Sequence, residues 1–283
     1  MEKLMNSAAE AVEANINGGK AKAELPLGKM ILLGIMAGAF IALGGAASNV
    51  AVHDIANVGV ARLVAGTIFP VGLMLIVLVG GELFTGNCLI TMAVMEGKTT
   101  LGKMCRNLVV VYFSNLVGAL IVDALIFFSG QLNYTAGALG AYSIKVAYGK
   151  ATIAPAAAVT SGILCNVLVC LAILAAAAAR DVAGKVWAIF FPILAFVVCG
   201  FEHCVANMFY IPIGMMAATN PAYVAKAEEL YGMTAEQCAS ITVLQSLQNF
   251  IPVTIGNIIG GAVCIGMMCF LIYRKDWNKK AGA

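Results

Sequence analysis

The sequence predicts an all-α polytopic membrane protein, with six transmembrane helices arranged as two inverted three-helix repeats whose second and fifth helices are broken. Three observations carry that expectation. At 61% hydrophobic and 11% charged residues, with a mean hydropathy of +0.94, the chain has too little polar surface to cover a soluble globule. Six long apolar runs lie at 30–52, 61–95, 107–128, 153–179, 186–217 and 243–273. Two of these runs carry the same polar insertion: Glu82 and Asn87 are five residues apart in Gly81-Glu82-Leu83-Phe84-Thr85-Gly86-Asn87. Glu202 and Asn207 are spaced identically in Gly200-Phe201-Glu202-His203-Cys204-Val205-Ala206-Asn207-Met208.

Residues 1–29 mix acids and lysines and lack a short apolar core before a small-residue cleavage site, so no cleavable signal is expected and the first span is its own membrane address. Leu4, Ala8, Val12 and Ile16 recur at helical spacing among charges, which predicts a short amphipathic helix on the cytoplasmic membrane surface, ended by Gly18-Gly19. Pro26 and Lys29 lead into the channel domain, 30–273, and residues 274–283 form a cytoplasmic tail.

The second and fifth runs are too long for one straight crossing: 35 helical residues reach about 52 Å against a hydrocarbon core of about 30 Å. Counting Lys and Arg separates an interrupted crossing from a fold-back hairpin. Six single crossings put 13 basic residues on the side of the termini and 4 opposite, whereas two hairpins give 10 and 7. The positive-inside rule selects six crossings with both termini cytoplasmic. Pro70, Gly80, Gly81 and Gly86 are the candidate breaks in the second run, and Pro192, Gly200 and Pro212 in the fifth.

The two halves align, as about 30–128 and 153–273. Arg106-Asn107-Leu108 and Ser114-Asn115-Leu116-Val117-Gly118 match Gln248-Asn249-Phe250 and Gly256-Asn257-Ile258-Ile259-Gly260 at an offset of 142, the Glu/Asn motifs match at 120, and Asn49 is paired with Asn166 at 117. Three crossings per repeat make the second half enter from the opposite side, so the repeats are inverted. Broken middle helices then put unwound backbone near the midplane, tolerated only where it is buried in protein or lines a cavity. Half-helix N-termini there suit a small anion.

Ionisable groups at membrane depth are expensive and mark pathways or bound ions. His203 is read as a pathway residue, the alternative being a core histidine satisfied by Glu or Asn. Glu82 and Glu202, with Asn87 and Asn207, are expected to support the helix breaks, since a pore-facing carboxylate would repel an anion. Thr85 is a candidate hydroxyl opposite His203, or else bonds its own backbone. Lys150, placed in the loop before the fourth span, gathers anions at an entrance or snorkels at the membrane edge. Asn166 is an uncharged donor at membrane depth, and Asp123 is a lone acid in the third span. The nine cysteines form no C-x-x-C; Cys165/Cys170, Cys199/Cys204 and Cys264/Cys269 are each five apart, so they are read as reduced packing residues with no metal site.

These motifs resemble the formate/nitrite transporter family: Ala37-Gly38-Ala39-Phe40-Ile41, Glu82 to Asn87, Lys150, Cys165-Asn166-Val167-Leu168-Val169-Cys170-Leu171-Ala172 and Gly200 to Met208, in order over essentially the whole chain. The resemblance implies an aquaporin-like six-helix protomer and a homopentamer with one pore per protomer. It implies pathway roles for Thr85, Lys150, Asn166 and His203, with apolar constrictions at Leu83 and Phe196 and further ones at Phe69 and Leu73. Phe201-Glu202-His203 and Ile211-Pro212 resemble the formate branch, although hydrosulfide channels could carry the same run.

The expected function is therefore a channel or proton-linked transporter for formate, nitrite or hydrosulfide in the inner (cytoplasmic) membrane. Lys150 would draw the anion in, and it would pass as the neutral acid near His203. The partners are then the anion and the bilayer, with no nucleic acid and no cofactor. An aquaporin-type pore for water or small neutral solutes is the alternative, suggested by Asn220-Pro221-Ala222, which occurs once and beyond the fifth span. An enzyme would need a nucleophile or metal constellation, and sodium coupling would need more membrane acids. The sequence offers neither.

Overall fold

The computed structural model describes residues 3–273; the expected tail, 274–283, lies outside the described residues. Among the described residues, six helices are long and apolar enough to cross a membrane: Leu27–Val52, Val58–Val79, Leu101–Ser129, Pro155–Ala178, Val182–Cys199 and Val243–Tyr273. Four of them lie within about six residues of the expected spans, whereas the second and fifth stop at Val79 and Cys199 and each expected run continues as a separate half-helix, Phe84–Met95 and Cys204–Ala217.

In chain order, α1 (Ala8–Ala23) leads to the first span, α2 (Leu27–Val52). The second crossing is α3 (Val58–Ile68) and α4 (Val71–Val79), followed after a break by the short α5 (Phe84–Asn87) and α6 (Ile90–Met95). The third span is α7 (Leu101–Ser129). The second half repeats the plan with α8 (Ala138–Ala151), α9 (Pro155–Ala178), α10 (Val182–Cys199) and, after a break, α11 (Cys204–Ala217). Two surface helices, α12 (Pro221–Tyr231) and α13 (Ala235–Ala239), precede the last span, α14 (Val243–Ile258), which runs through a π-helical stretch (Ile259–Met267) into α15 (Met268–Tyr273).

The breaks fall at glycine. Gly80 has φ +108° and Gly200 φ +71°, conformations that L side chains rarely adopt, so each releases its helix without strain. The prolines only kink. Phe69 and Pro70 keep right-handed helical torsions, and Met74 N–H donates to Pro70 O at 3.0 Å. Pro192 and Pro212 lie inside α10 and α11. The half-helices Phe84–Met95 and Cys204–Ala217 would reach only about 18 and 21 Å, short of a bilayer, so both must end inside the protein.

α1 departs from expectation. Gly18-Gly19 does not end it: the helix runs to Ala23, and a Cβ on Gly19 would lie 3.1 Å from the Ala93 Cβ and 3.3 Å from the Ile90 Cα. Glycine here admits α6 against α1 rather than stopping the helix. Val12 and Ile16 are buried against Leu89, Met92 and Cys170 while Leu4 is 88% exposed, so the C-terminal half of the apolar stripe packs on the helix bundle.

Within each repeat, the first and last spans meet through backbone contacts. A Cβ on Gly118 would lie 2.0 Å from Ile35 O, and one on Gly260 would lie 2.3 Å from Ile163 O. These contacts pair 118 with 260 at an offset of 142 and 35 with 163 at 128, so the first helix of each repeat aligns at 128. Asn166 is therefore equivalent to Gly38, and the expected pairing of Asn49 with Asn166 at 117 is corrected. The same offset makes α8 the counterpart of α1, so each repeat includes a preceding helix. Lys150 sits in the last turn of α8 rather than in a loop.

Candidate functional site

Two polar networks, related by the repeat, hold the breaks open. In the first, Lys22 Nζ donates to Glu82 Oε1 at 2.6 Å and to Asn87 Oδ1 at 3.1 Å. Asn87 Nδ2 donates to Glu82 Oε2 (2.7 Å) and Asn107 Oδ1 (2.8 Å), and Asn107 Nδ2 closes the ring on Lys22 O (3.0 Å). In the second, Lys150 Nζ donates to Glu202 Oε1 at 2.8 Å. Asn207 Nδ2 reaches Glu202 Oε2 and Asn249 Oδ1, both at 2.7 Å, and Asn249 Nδ2 donates to Lys150 O and Glu202 Oε2, both at 3.0 Å. Each glutamate is thus a buried anchor, held by two buried amides and by a lysine that stays partly exposed, as burial of a carboxylate requires partners. Glu82 and Glu202 are expected to cap the broken ends or bond backbone amides rather than face substrate; here lysine and asparagine side chains are their partners, and Glu82 also lines a cavity. Lys22 was missed because α1 read as a surface helix. The offset of 128, extended upstream, pairs Lys22-Ala23 with Lys150-Ala151 and is the signal that finds it.

Two further asparagines fix the half-helices. Asn115 Oδ1 accepts from Phe84 N–H (3.0 Å) while its Nδ2 donates to Gly34 O (2.8 Å) and Glu82 O (2.9 Å). Asn257 does the same for Cys204 N–H (2.9 Å), Gly162 O (2.8 Å) and Glu202 O (3.0 Å). Each amide therefore caps one N-terminus and ties it to the first helix of its repeat.

The symmetry fails at the centre. Leu83 stands where the second half has His203, and Thr85 where it has Val205. The His203 Nε2 lies 2.9 Å from Thr85 Oγ1, and Ala206 N–H donates to its Nδ1 at 3.0 Å. Accepting that bond leaves Nδ1 without a proton, so the neutral ring carries its proton on Nε2 and donates toward Thr85. Both residues are buried.

This pair lies between two cavities. The larger, about 560 Å³, has Leu73 and Leu83 at its lining together with Lys22 and Glu82; the smaller, about 140 Å³, is lined by Phe69, Phe196, His203, Lys150 and Asn49 among others. Phe196 stacks on His203 at a 5.9 Å centroid distance and meets Phe69 edge-on at 5.6 Å. Leu83, Phe196, Phe69 and Leu73 are 2–4% exposed and line one cavity or the other, whereas Thr85 lines neither and is met by His203 from the wall of the smaller. Lys150 also lies over the Tyr210 ring at 5.3 Å.

Asn166 falls outside both linings. Its Nδ2 donates to Asn257 O (2.6 Å) and Thr85 O (3.1 Å), which makes it a strut behind the half-helix that carries Thr85. Asp123 lines neither cavity and is buried with both carboxyl oxygens unpartnered. Asn220 caps a surface helix through Ala222 N–H at 3.0 Å, so the Asn220-Pro221-Ala222 triplet is not a pore element. All nine cysteines are free thiols, and no group of three potential metal ligands occurs among the described residues.

Residues 9–271 match the family model described as formate/nitrite transporter. A probable formate transporter of Methanothermobacter thermautotrophicus is 38% identical, over 98% of this chain and 100% of its own. The formate channel FocA of Escherichia coli K12 is 36% identical, over 96% of each chain. Among solved structures, a pentameric formate channel with formate bound is similar at a TM-score of 0.80 and 36% identity, covering 88% of this chain and 98% of that one.

Proposed function

The chain belongs to the formate/nitrite transporter family, and from that premise we propose that it is a pore for small monovalent anions, formate first, which cross its centre as the neutral acid. It works as a homopentamer in the cytoplasmic membrane with both termini inside, as the 13-to-4 distribution of basic residues favours. The observation that carries the reading is the buried His203–Thr85 pair between apolar constrictions, with a charged lysine network beyond each.

A bare anion faces a Born cost of tens of kcal/mol at such a constriction. Neutralising an acid of pKa about 4 at pH 7 costs about three units, or roughly 4 kcal/mol. The lower route is taken. Lys150 raises the local concentration of anion at its mouth, the half-helix N-termini extend that field inward, and the His203–Thr85 pair, directly or through water, supports protonation of the acid and hydrogen-bonds it as it passes. Glu82, Asn87, Glu202 and Asn207 hold the breaks in place, and Asn166 positions the Thr85 half-helix.

Stopped-flow proteoliposome assays test this. Formate flux is expected to rise as external pH falls, nitrite and hydrosulfide to follow if the pore is tolerant, and chloride, the anion of a strong acid, to pass poorly. Chloride passing as freely as formate would overturn the neutral-acid mechanism. Water or neutral solute flux without formate flux would restore the aquaporin-type reading.

A further inference from the structure

The internal repeat provides a control for the two vestibules, because symmetric halves should give symmetric mouths. They differ fourfold in volume, about 560 against about 140 Å³. They differ in charge as well. Among the described residues the larger is lined by Lys22, Lys29 and Lys185 with Glu82 as its one carboxylate, three cations and one anion, for a net +2. The smaller has Lys150 as its one charged lining residue. Glu82 is held by Lys22, so the surplus resides on Lys29 and Lys185, neither of whose ammonium groups has an ion-pair or hydrogen-bond partner among the described residues.

That surplus departs from the repeat. At the offset of 128 the counterpart of Lys29 is Ala157, and at 120 the counterpart of Lys185 is Ala65, itself a lining residue of the smaller vestibule. Two positions that the opposite half fills with alanine thus carry ammonium groups here. They come from different elements, the first turn of α2 and the first turn of α10.

Attracting a monovalent ion of three heavy atoms needs neither the room nor the second charge, since a liquid water molecule occupies only about 30 Å³. A cavity of this size falls among those that enclose organic ligands, about 300–1,000 Å³. Its floor, at Leu73 and Leu83, is apolar and closed to a divalent ion, whose desolvation cost is higher still.

We infer that the larger vestibule, on the side of the chain termini, binds a small organic dicarboxylate, one carboxylate to Lys29 and one to Lys185, and that this non-permeant dianion plugs the pore from that side. The inference rests on the anion-pore reading for its consequence, block of flux, but the binding stands on the two lysines and the cavity. It gives the pore a one-sided response to the concentration of a doubly charged acid.

Succinate is the probe. Formate flux is measured in right-side-out and inverted membrane vesicles with succinate added outside, and binding of ¹³C-labelled succinate to the purified full chain is followed by NMR. The expected result is block by at least half from the side of the termini at millimolar succinate and none from the other side. The double variant K29Q/K185Q should raise the half-blocking and half-binding concentrations at least tenfold while formate flux without succinate stays unchanged. Equal block from both sides, no block at saturating succinate, or block that persists in the double variant would overturn the inference and leave Lys29 and Lys185 as membrane-edge charges. A parent protein that binds succinate through these lysines yet passes no formate would refute the pore reading instead.

Discussion

His203 shows how much one side chain is asked to do. Its Nδ1 caps the fifth-span half-helix through Ala206 N–H and its Nε2 faces Thr85. His203→Asn keeps one hydrogen-bonding amide but no titratable proton. The variant is expected to fold and to lose most of the rise in formate flux between pH 7 and pH 5. A wild-type pH profile in liposomes would reduce His203 to a polar lining. Asp123 is the opposite case, a buried acid with no partner for either oxygen, whose repeat counterpart at the offset of 142 is Ile265. Replacing an unsatisfied buried polar group with an apolar one of similar size recovers its desolvation cost. Asp123→Val should stabilise the protein by about 1–3 kcal/mol, read as a higher melting temperature in detergent. A lower one would mean that the carboxyl has a partner in the assembled protein.

At the scale of the element, the repeats are built from helices whose backbones approach at glycine. Gly118 on Ile35 and Gly260 on Ile163 are so close that a single methyl cannot be admitted without moving the helix, and small residues are how membrane helices gain contact where no hydrophobic force separates them from lipid. Gly118→Ala and Gly260→Ala should each lower the melting temperature sharply and by similar amounts, because the repeat makes the two sites equivalent. Tolerance of either would show that the helices pack more loosely than this.

The N-terminal helix offers a pH prediction. The carboxyl of Glu10 is held down at about 2, from 4.5, by hydrogen bonds from the Lys3 ammonium and from the Ser7 backbone and hydroxyl. A group whose folded pKa is depressed stabilises above its unfolded value and loses that contribution as pH falls through the folded one. The Ser7 capping box should therefore persist from neutral pH to about pH 4.5 and open toward pH 2. Amide chemical shifts of Ser7 and Glu10 would follow this, and Glu10→Gln should abolish the pH dependence.

For the whole molecule, the exposed apolar surface decides the assembly. Val109, Phe113, Val117 and Leu125 on α7 and Val243, Leu244, Leu247 and Ile251 on α14 are all at least 43% exposed in the single chain, and such faces must meet lipid or a neighbouring protomer. Native mass spectrometry in mild detergent is expected to give a pentamer of about five times 29.3 kDa. Monomers alone would count against the homopentamer.

The sequence by itself determined the membrane class, the six crossings, the presence of two breaks and the inverted repeat, because all of these are local or periodic; that glycine rather than proline makes each break came from the structure. Hydrophobic runs set the spans, the five-residue Glu/Asn spacing marked the breaks, and constant offsets revealed the duplication. The candidate residues His203, Thr85, Lys150, Glu82 and Glu202 were also legible, since polar groups in long apolar runs stand out. Their partners were not. That Lys150 spends its charge partly on Glu202 across 52 positions, that Lys22 mirrors it, and that Asn166 braces Thr85 instead of lining a cavity depend on contacts between distant helices. Gly18-Gly19 read as a stop, and Gly19 proved to be a contact with α6, for the same reason. Only the tertiary structure decided which mouth is wide and which is narrow, because cavity volume belongs to the space between helices and to no residue in the chain.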